Sequence, residues 1–199
     1  MNEGATPSEK LGATGKKAGP KSDLAVAHLT AEASAFMQRI IDSRGATLMS
    51  YAQVEWYLAK LIIEGKSYDQ YQHMKLSFSQ DAKTRADTIK SMLKVDGPFS
   101  PYGDRLIKAM DDVLSHEELR NYAAHGLLVR PDPDDCSLGA KIHLRRFKML
   151  KGGNLEDANR TLTLKQYYDE QESLVGAAKA FCSVVRGIWK DLNLKNLDE

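Results

Sequence analysis

A long apolar stripe near the end of this chain most constrains how the chain can fold. Between Thr163 and Leu192, apolar side chains recur every three or four residues, which is the spacing of one face of an α-helix. Thr163 followed by Gln166 has the capping-box pattern and predicts where this helix begins. A stripe of this length has to be covered by other helices or by a partner. The chain is therefore predicted to form a helical bundle.

The same spacing predicts further helices before the stripe. They are a helix from Asp23 to the Ser43-Arg44-Gly45 stretch, a second over 46–64, a third over 81–95 and a fourth from Tyr102 or Asp104. Ser115 followed by Glu118 is another capping-box pattern, so the chain either bends there or begins a short helix over 119–125. Gly126 is expected to end that helix.

A strand-like region separates the short helix from the last one. Residues 127–129 are a short apolar run, 131–135 are rich in proline and aspartate, and 140–150 have strand character. Gly152, Gly153 and the polar residues after them are predicted to form a loop. The predicted fold class is all-α, a bundle of about five helices with a small β-hairpin inserted at about 127–151.

The N-terminal composition differs from that of the rest of the chain. Residues 1–22 are rich in Gly, Ala, Lys, Ser and Thr and predict a disordered tail, followed by a single domain over 23–199. No apolar run has the length of a signal peptide or a membrane span, so we expect a cytoplasmic protein without a membrane partner. The two cysteines, Cys136 and Cys182, lack metal-ligand spacing, and we expect no disulfide and a buried Cys182.

The segment RNYAAH, residues 120–125, is the most informative stretch for function. It resembles the Arg-x(4–6)-His motif of HEPN domains (higher eukaryotes and prokaryotes nucleotide-binding), with Arg120, Asn121 and His125 at the three motif positions. Helices before the motif and a long helix after it agree with that family, and the resemblance covers roughly residues 46–192. The hairpin departs from the minimal HEPN bundle, so we interpret it as an insertion.

The resemblance implies a metal-independent endoribonuclease that uses no cofactor. His125 would take the proton from a ribose 2′-hydroxyl or protonate the leaving oxygen, because imidazole side chains exchange protons near neutral pH. Arg120 would clamp the phosphate, and Asn121 would orient the histidine or bond the phosphate. The product would be a 2′,3′-cyclic phosphate. Tyr122, within the motif, is expected to support the site.

The motif by itself does not aim its arginine and histidine in one direction. On a helix, Asn121 and His125 share a face, whereas Arg120 lies ~140° from His125. Either the long arginine side chain bridges part of that gap, or two copies of the motif face each other. The resemblance implies the latter, a homodimer through the motif helix. It also implies RNA as a partner, in toxin–antitoxin, phage-defence or stress-response biology, and in the first of these settings an antitoxin protein as a second partner.

Glu55 is a second candidate because it falls inside the apolar stripe of its predicted helix. A buried carboxylate is costly unless it is paired, and Arg120 is the partner we predict. The alternative is that the helix rotates enough to leave Glu55 solvated at the rim of the core.

The strand-like segment carries a third candidate, an RNA-binding face. The net charge of the chain is only +1, so any nucleic-acid binding has to come from a local patch. Lys141, His143 and Arg145 share one face of the strand and are suited to tracking an RNA backbone. The alternative is an ordinary solvated face.

Two other functions stay open at this point. The chain has no zincin spacing after His116-Glu117, no phosphate-cradling glycine loop and no nucleophile elbow. A HEPN-like module that binds RNA, a nucleotide or a protein without catalysis is the main alternative to the ribonuclease. A purely structural helical dimer, with a surface arginine and a helix-end histidine, is the third.

Overall fold

The structure, a computed structural model, describes residues 31–75, 79, 81–130, 132, 134–150 and 152–194. It is mostly helical, with five α-helices and one small antiparallel sheet. The helices are α1 (Ala31–Gly65), α2 (Ala82–Met92), α3 (Gly103–Leu114), α4 (Glu117–His125) and α5 (Leu164–Asp191). The strands are β1 (Leu127–Val129), β2 (Lys141–Met149) and β3 (Leu155–Thr163). Two 3₁₀ turns, Asp69–Tyr71 and Ser100–Tyr102, flank α2. The predicted tail over 1–22 and the predicted helix start at Asp23 lie outside the described residues.

The apolar stripe of α5 is the centre of the core. Leu174, Phe181, Val185 and Ile188 have no exposed surface, and α1 and α3 pack against them. The predicted capping box is confirmed, since the Thr163 side chain accepts from the backbone N–H of Gln166 and the Thr163 N–H donates to the Gln166 side chain. Cys182 is buried as predicted, and it and Cys136 are both free thiols.

The predicted helix break at Ser43-Arg44-Gly45 is wrong, because α1 runs through it as one helix of 35 residues. Ser43 and Thr47 are buried on the inner side of α1, and the Thr47 hydroxyl donates to the Ser43 carbonyl at 3.0 Å. Packing of this face outweighs the low helix propensity of Gly45. The predicted cap at Ser115 is also wrong: its hydroxyl donates to the Asp112 carbonyl, and α4 begins after His116.

The predicted mostly helical fold with about five helices is confirmed. The loop expected after Gly153 is instead a third strand, so the two-stranded hairpin predicted at about 127–151 is corrected to a three-stranded sheet. The sheet has the order β1-β2-β3, and β2 pairs along its whole length with β3, from Lys141 opposite Thr163 to Met149 opposite Leu155. Gly152 and Gly153 form the turn with φ of 97° and 86°, a region that favours glycine. Backbone pairing with β2 holds β3, whose residues are mostly polar and exposed.

Among the described residues, no helix combines the length and apolar character that crossing a bilayer requires.

Candidate functional site

The end of α4 is anchored by Arg44 of α1. Its Nε donates to the carbonyl of Ala123, and its Nη2 donates to the carbonyl of Ala124 at 3.5 Å. The last carbonyls of a helix have no partner within the helix, and a cation at that end is favourable. Arg44 therefore fixes the turn that carries His125. Sequence reasoning missed this role because it assigned Arg44 to a helix break.

Replacing Arg44 with methionine is expected to lower the free energy of unfolding by about 1–2 kcal/mol, because two helix-end carbonyls lose their donor. Urea denaturation followed by circular dichroism measures the change. Arg39→Met is the matched control, since Arg39 is an exposed arginine of the same helix. Equal stability of the two variants would contradict the anchoring role.

Gly126 joins α4 directly to β1. Its backbone is extended, with φ −90° and ψ 154°, and its N–H donates to the Tyr122 carbonyl at 2.9 Å. A Cβ at this position would lie 2.5 Å from the Tyr122 oxygen, so any side chain here displaces the junction. Gly126 ends the helix as predicted. Its backbone is extended rather than left-handed, and glycine is required because a side chain would not fit beside the Tyr122 carbonyl.

His125 is exposed and lines a cleft between the end of α4 and the sheet. The cleft has a volume of about 270 Å³, and its other lining residues are Leu127, Arg145, Arg146, Phe147 and Asp157. Two arginines, an exposed aromatic ring and an imidazole thus border one opening. Such an opening combines groups that contact phosphates with a surface on which a base can stack.

The two arginines of this cleft differ in their partners. Arg145 donates to Asp157 at 2.8 Å and to Asn159 at 3.1 Å, so its charge is already compensated. Arg146 lies over the Tyr122 ring, with 5.0 Å from its Cζ to the ring centroid, and its Nε has no hydrogen-bond partner among the residues that the structure describes. Within the part of the chain that the structure describes, Arg146 has no carboxylate partner. It is the guanidinium in this cleft that is available to an anion.

Arg146 was not among the predicted site residues. It falls on the same strand face as Ile142 and Leu144, which are buried against the helices. The sequence did carry a signal for Arg146, which continues a row of apolar residues that face inward. A charged side chain in such a row is costly to bury unless it has a compensating contact. The ring of Tyr122, a predicted supporting residue, is buried and provides such a contact.

Arg120 lies in a different cleft. This second opening, of about 260 Å³, is lined by Tyr51, Glu55, Asp81, Ala82, Glu117 and Arg120. Arg120 Nη2 is 3.2 Å from Glu55 Oε1, and its Nη1 donates to the Asn121 side chain at 3.1 Å. The predicted Glu55–Arg120 contact is therefore present, whereas Asn121 contacts the arginine rather than the histidine.

The environment of the pair keeps it together. The side chains of Arg120 and Glu55 are 29% and 23% exposed, and the Arg120 guanidinium lies 5.4 Å from the centroid of the Tyr51 ring. Burial and the neighbouring carboxylates raise the pKa of Tyr51 well above that of an ordinary phenol. The Tyr51 hydroxyl is thus protonated at physiological pH.

The motif arginine and histidine line separate clefts of one chain, Arg120 the second cleft and His125 the first.

Replacing Glu55 with alanine is expected to cost about 1–2 kcal/mol of unfolding free energy. It leaves the half-buried Arg120 without its carboxylate, and the partial exposure of the pair limits the loss. Thermal and urea denaturation measure it. Asp112→Ala, which breaks the exposed Lys108–Asp112 pair, is the control and should change stability by less than about 0.5 kcal/mol. If Glu55→Ala is as stable as the wild type, the Glu55–Arg120 ion pair does not stabilise the fold.

The predicted RNA-binding residues lie together on the outer face of the sheet. Lys141, His143 and Arg145 are paired across β2 and β3 with Thr163, Thr161 and Asn159. His143 Nδ1 is 2.8 Å from the Thr161 hydroxyl, and Arg145 is compensated by Asp157. This face is therefore less positive than its sequence suggested. In the described ranges, no group of three or more His, Cys, Asp or Glu side chains is arranged to hold a metal ion.

Comparison with known proteins gave no relative: no protein-family model, curated protein or solved structure matches the chain.

Proposed function

We propose that this chain is a HEPN-like endoribonuclease whose reaction takes place in the cleft beside His125. One observation carries the proposal: the exposed imidazole of His125 lines the same opening as the guanidinium of Arg146, which has no carboxylate partner among the described residues. The helices around the RNYAAH motif, with a long α5 after it, agree with a HEPN-like bundle that carries the sheet as an insertion. A role in toxin–antitoxin, phage-defence or stress biology follows from the resemblance.

The reaction needs a proton acceptor and a group that stabilises phosphate charge. His125 takes the proton of the ribose 2′-hydroxyl, and the 2′-oxygen attacks the adjacent phosphorus, or His125 protonates the 5′-oxygen as its bond to phosphorus breaks. Arg146 bonds the phosphate oxygens, whose charge increases in the transition state. The products are a 2′,3′-cyclic phosphate and a 5′-hydroxyl, and no step requires a metal ion.

Arg120 retains a role in this proposal across a dimer. Within one chain, Arg120 is held in the second cleft by Glu55. The resemblance implies that a second copy brings its motif towards the first, so that Arg120 would approach the phosphate from the partner. Arg146 would then be the phosphate contact within a chain and Arg120 the contact between chains.

The test is the chemistry of the products. Purified protein is incubated with a 5′-labelled RNA oligonucleotide in the presence of EDTA, and with the same oligonucleotide carrying 2′-O-methyl groups. We expect fragments that end in a 2′,3′-cyclic phosphate from the RNA and no cleavage of the methylated strand. Cleavage of the methylated strand, or cleavage that EDTA abolishes, would contradict the mechanism.

A module that binds RNA, a nucleotide or a protein without cleavage is the second candidate. The observation that favours it is the location of Arg120, ion-paired and in a different cleft from His125. Saturable RNA binding with no cleavage by the wild-type protein, and equal binding by His125→Ala, would establish this alternative in place of the first.

A further inference from the structure

Helix α1 is apolar on two opposite faces, and the described part of the chain covers only one of them. Its inner face, which includes Tyr51, Val54 and Leu58, is at most 2% exposed and packs in the core. On the outer face, Met49 is 73% exposed, Trp56 41% and Ile63 48%. Large apolar side chains aligned along an exposed helix mark an interaction surface. The short helix α4, which carries the HEPN-like motif, has no large hydrophobic residue exposed to this degree.

The outer face has a regular alternation of large and small residues. Met49, Trp56 and Ile63 recur at intervals of seven residues, which is the heptad repeat of helices that pack side by side. Between and beside them stand Gly45, Ala52 and Ala59, also at intervals of seven. A Cβ built on Gly45 meets no described atom within 4 Å, so this position is open. The face thus presents three knobs and three holes over roughly 27 Å of helix, at ~1.5 Å per residue.

An antiparallel pair of α1 helices fits each knob into a hole. With a two-fold axis at the level of residue 54, Met49 lies opposite Ala59 of the second copy and Trp56 opposite its Ala52. Ile63 lies opposite Gly45 of the second copy. A parallel pair would instead place each large side chain beside its own equivalent. Only the antiparallel register matches large with small along the whole face.

Charges at the ends of the face agree with the same register. The antiparallel register places Asp42 of one copy opposite Lys66 of the second copy. Because the contact is isologous, the same charge pair occurs at each end of the two helices. Both residues are exposed, and the Lys66 N–H donates to the Ile62 carbonyl at 3.2 Å, so Lys66 continues the helical path. In a parallel pair, Asp42 would face Asp42, which is unfavourable.

We infer that the outer face of α1 binds a second copy of this chain as an antiparallel helix pair. The inference does not depend on RNA cleavage. It places a contact between copies on α1, a surface separate from α4, so the approach of Arg120 from a partner requires the additional α4 contact that the sequence resemblance implied.

Sedimentation velocity of the full chain at about 1–100 μM tests the interface. We expect a dimer, and a Gly45→Leu variant whose dimer dissociates at least about tenfold more readily, because the new side chain fills the hole for Ile63. Circular dichroism should report an intact fold, since position 45 is open within the described chain. Gly176→Leu is the matched control: Gly176 is an exposed glycine of α5 with equal free space, and its replacement should leave the dimer unchanged.

A charge exchange tests the register. Asp42→Lys and Lys66→Asp should each weaken the dimer, and the double variant should restore the wild-type dissociation constant to within about threefold. A chain that stays monomeric at all concentrations would overturn the inference, as would a dimer unaffected by Gly45→Leu. A double variant weaker than both single variants would overturn the antiparallel register. Cleavage assays on the same variants report separately on the His125 chemistry.

Discussion

Replacing His125 with alanine is expected to slow RNA cleavage by about 10²–10⁴-fold, because positioned proton transfer contributes that much to such reactions. The imidazole is exposed at the end of α4 and lacks a structural role in the core, so the variant should fold and melt like the wild type. RNA affinity should change little, since Arg146 remains. Single-turnover rates with labelled RNA, together with a binding titration, separate the two effects.

His73→Ala is the control for this experiment. His73 is an exposed imidazole and is not among the lining residues of either cleft. It should leave the rate within about twofold, because only groups in reach of the transferred proton contribute to general acid–base catalysis. In cells, growth arrest by the wild type and its loss in His125→Ala would agree with a toxic ribonuclease. Equal cleavage rates for the wild type and His125→Ala would contradict the assignment of His125 as the group that transfers the proton.

Replacing Arg146 with methionine is expected to reduce cleavage by about 10²–10³-fold, the effect of removing one donor to a transition-state oxyanion. Methionine preserves apolar contact with the Tyr122 ring but removes the charge. Arg146→Lys should recover part of the rate, because lysine supplies charge without the planar fork. The slope of log affinity against log salt should fall by about one in Arg146→Met.

Two other arginines provide the comparison. Arg145→Met should have a smaller effect than Arg146→Met, because Arg145 is already neutralised by Asp157. Arg120→Met separates the contact within a chain from the contact between chains: a large loss of cleavage with intact stability would indicate that Arg120 reaches the phosphate from a partner. If Arg146→Met cleaves RNA at the wild-type rate, Arg146 takes no part in the reaction.

The helices were predictable because each buries one face. Apolar spacing alone identified α2, α3 and α5, and the Thr163–Gln166 pattern gave the start of α5 correctly. The same signal failed at Gly45, where local propensity favoured a break and the buried Ser43–Thr47 contact continues the helix. It also failed for β3, whose polar residues have no alternation to detect because backbone pairing with β2 holds them.

The site was predictable only where a residue conflicted with its surroundings. Glu55 stood out as a carboxylate within an apolar stripe, and the structure pairs it with Arg120 as expected. The proximity of His125 to Arg146 was not predictable, because it depends on how β2 folds back against the end of α4. Spacing along a helix relates Arg120 to His125 only by angle, and the fold then directs them into separate openings.

The Gly126 junction limits where this chain can change in length. One extra residue between α4 and β1 would turn every side chain of β1 to the opposite face of the sheet and shift the imidazole away from β2. The Gly152–Gly153 turn, at the far tip of the sheet, tolerates additions because it is exposed and makes no contact with the cleft. A fluorophore or affinity tag attached at that tip should therefore leave the cleft undisturbed.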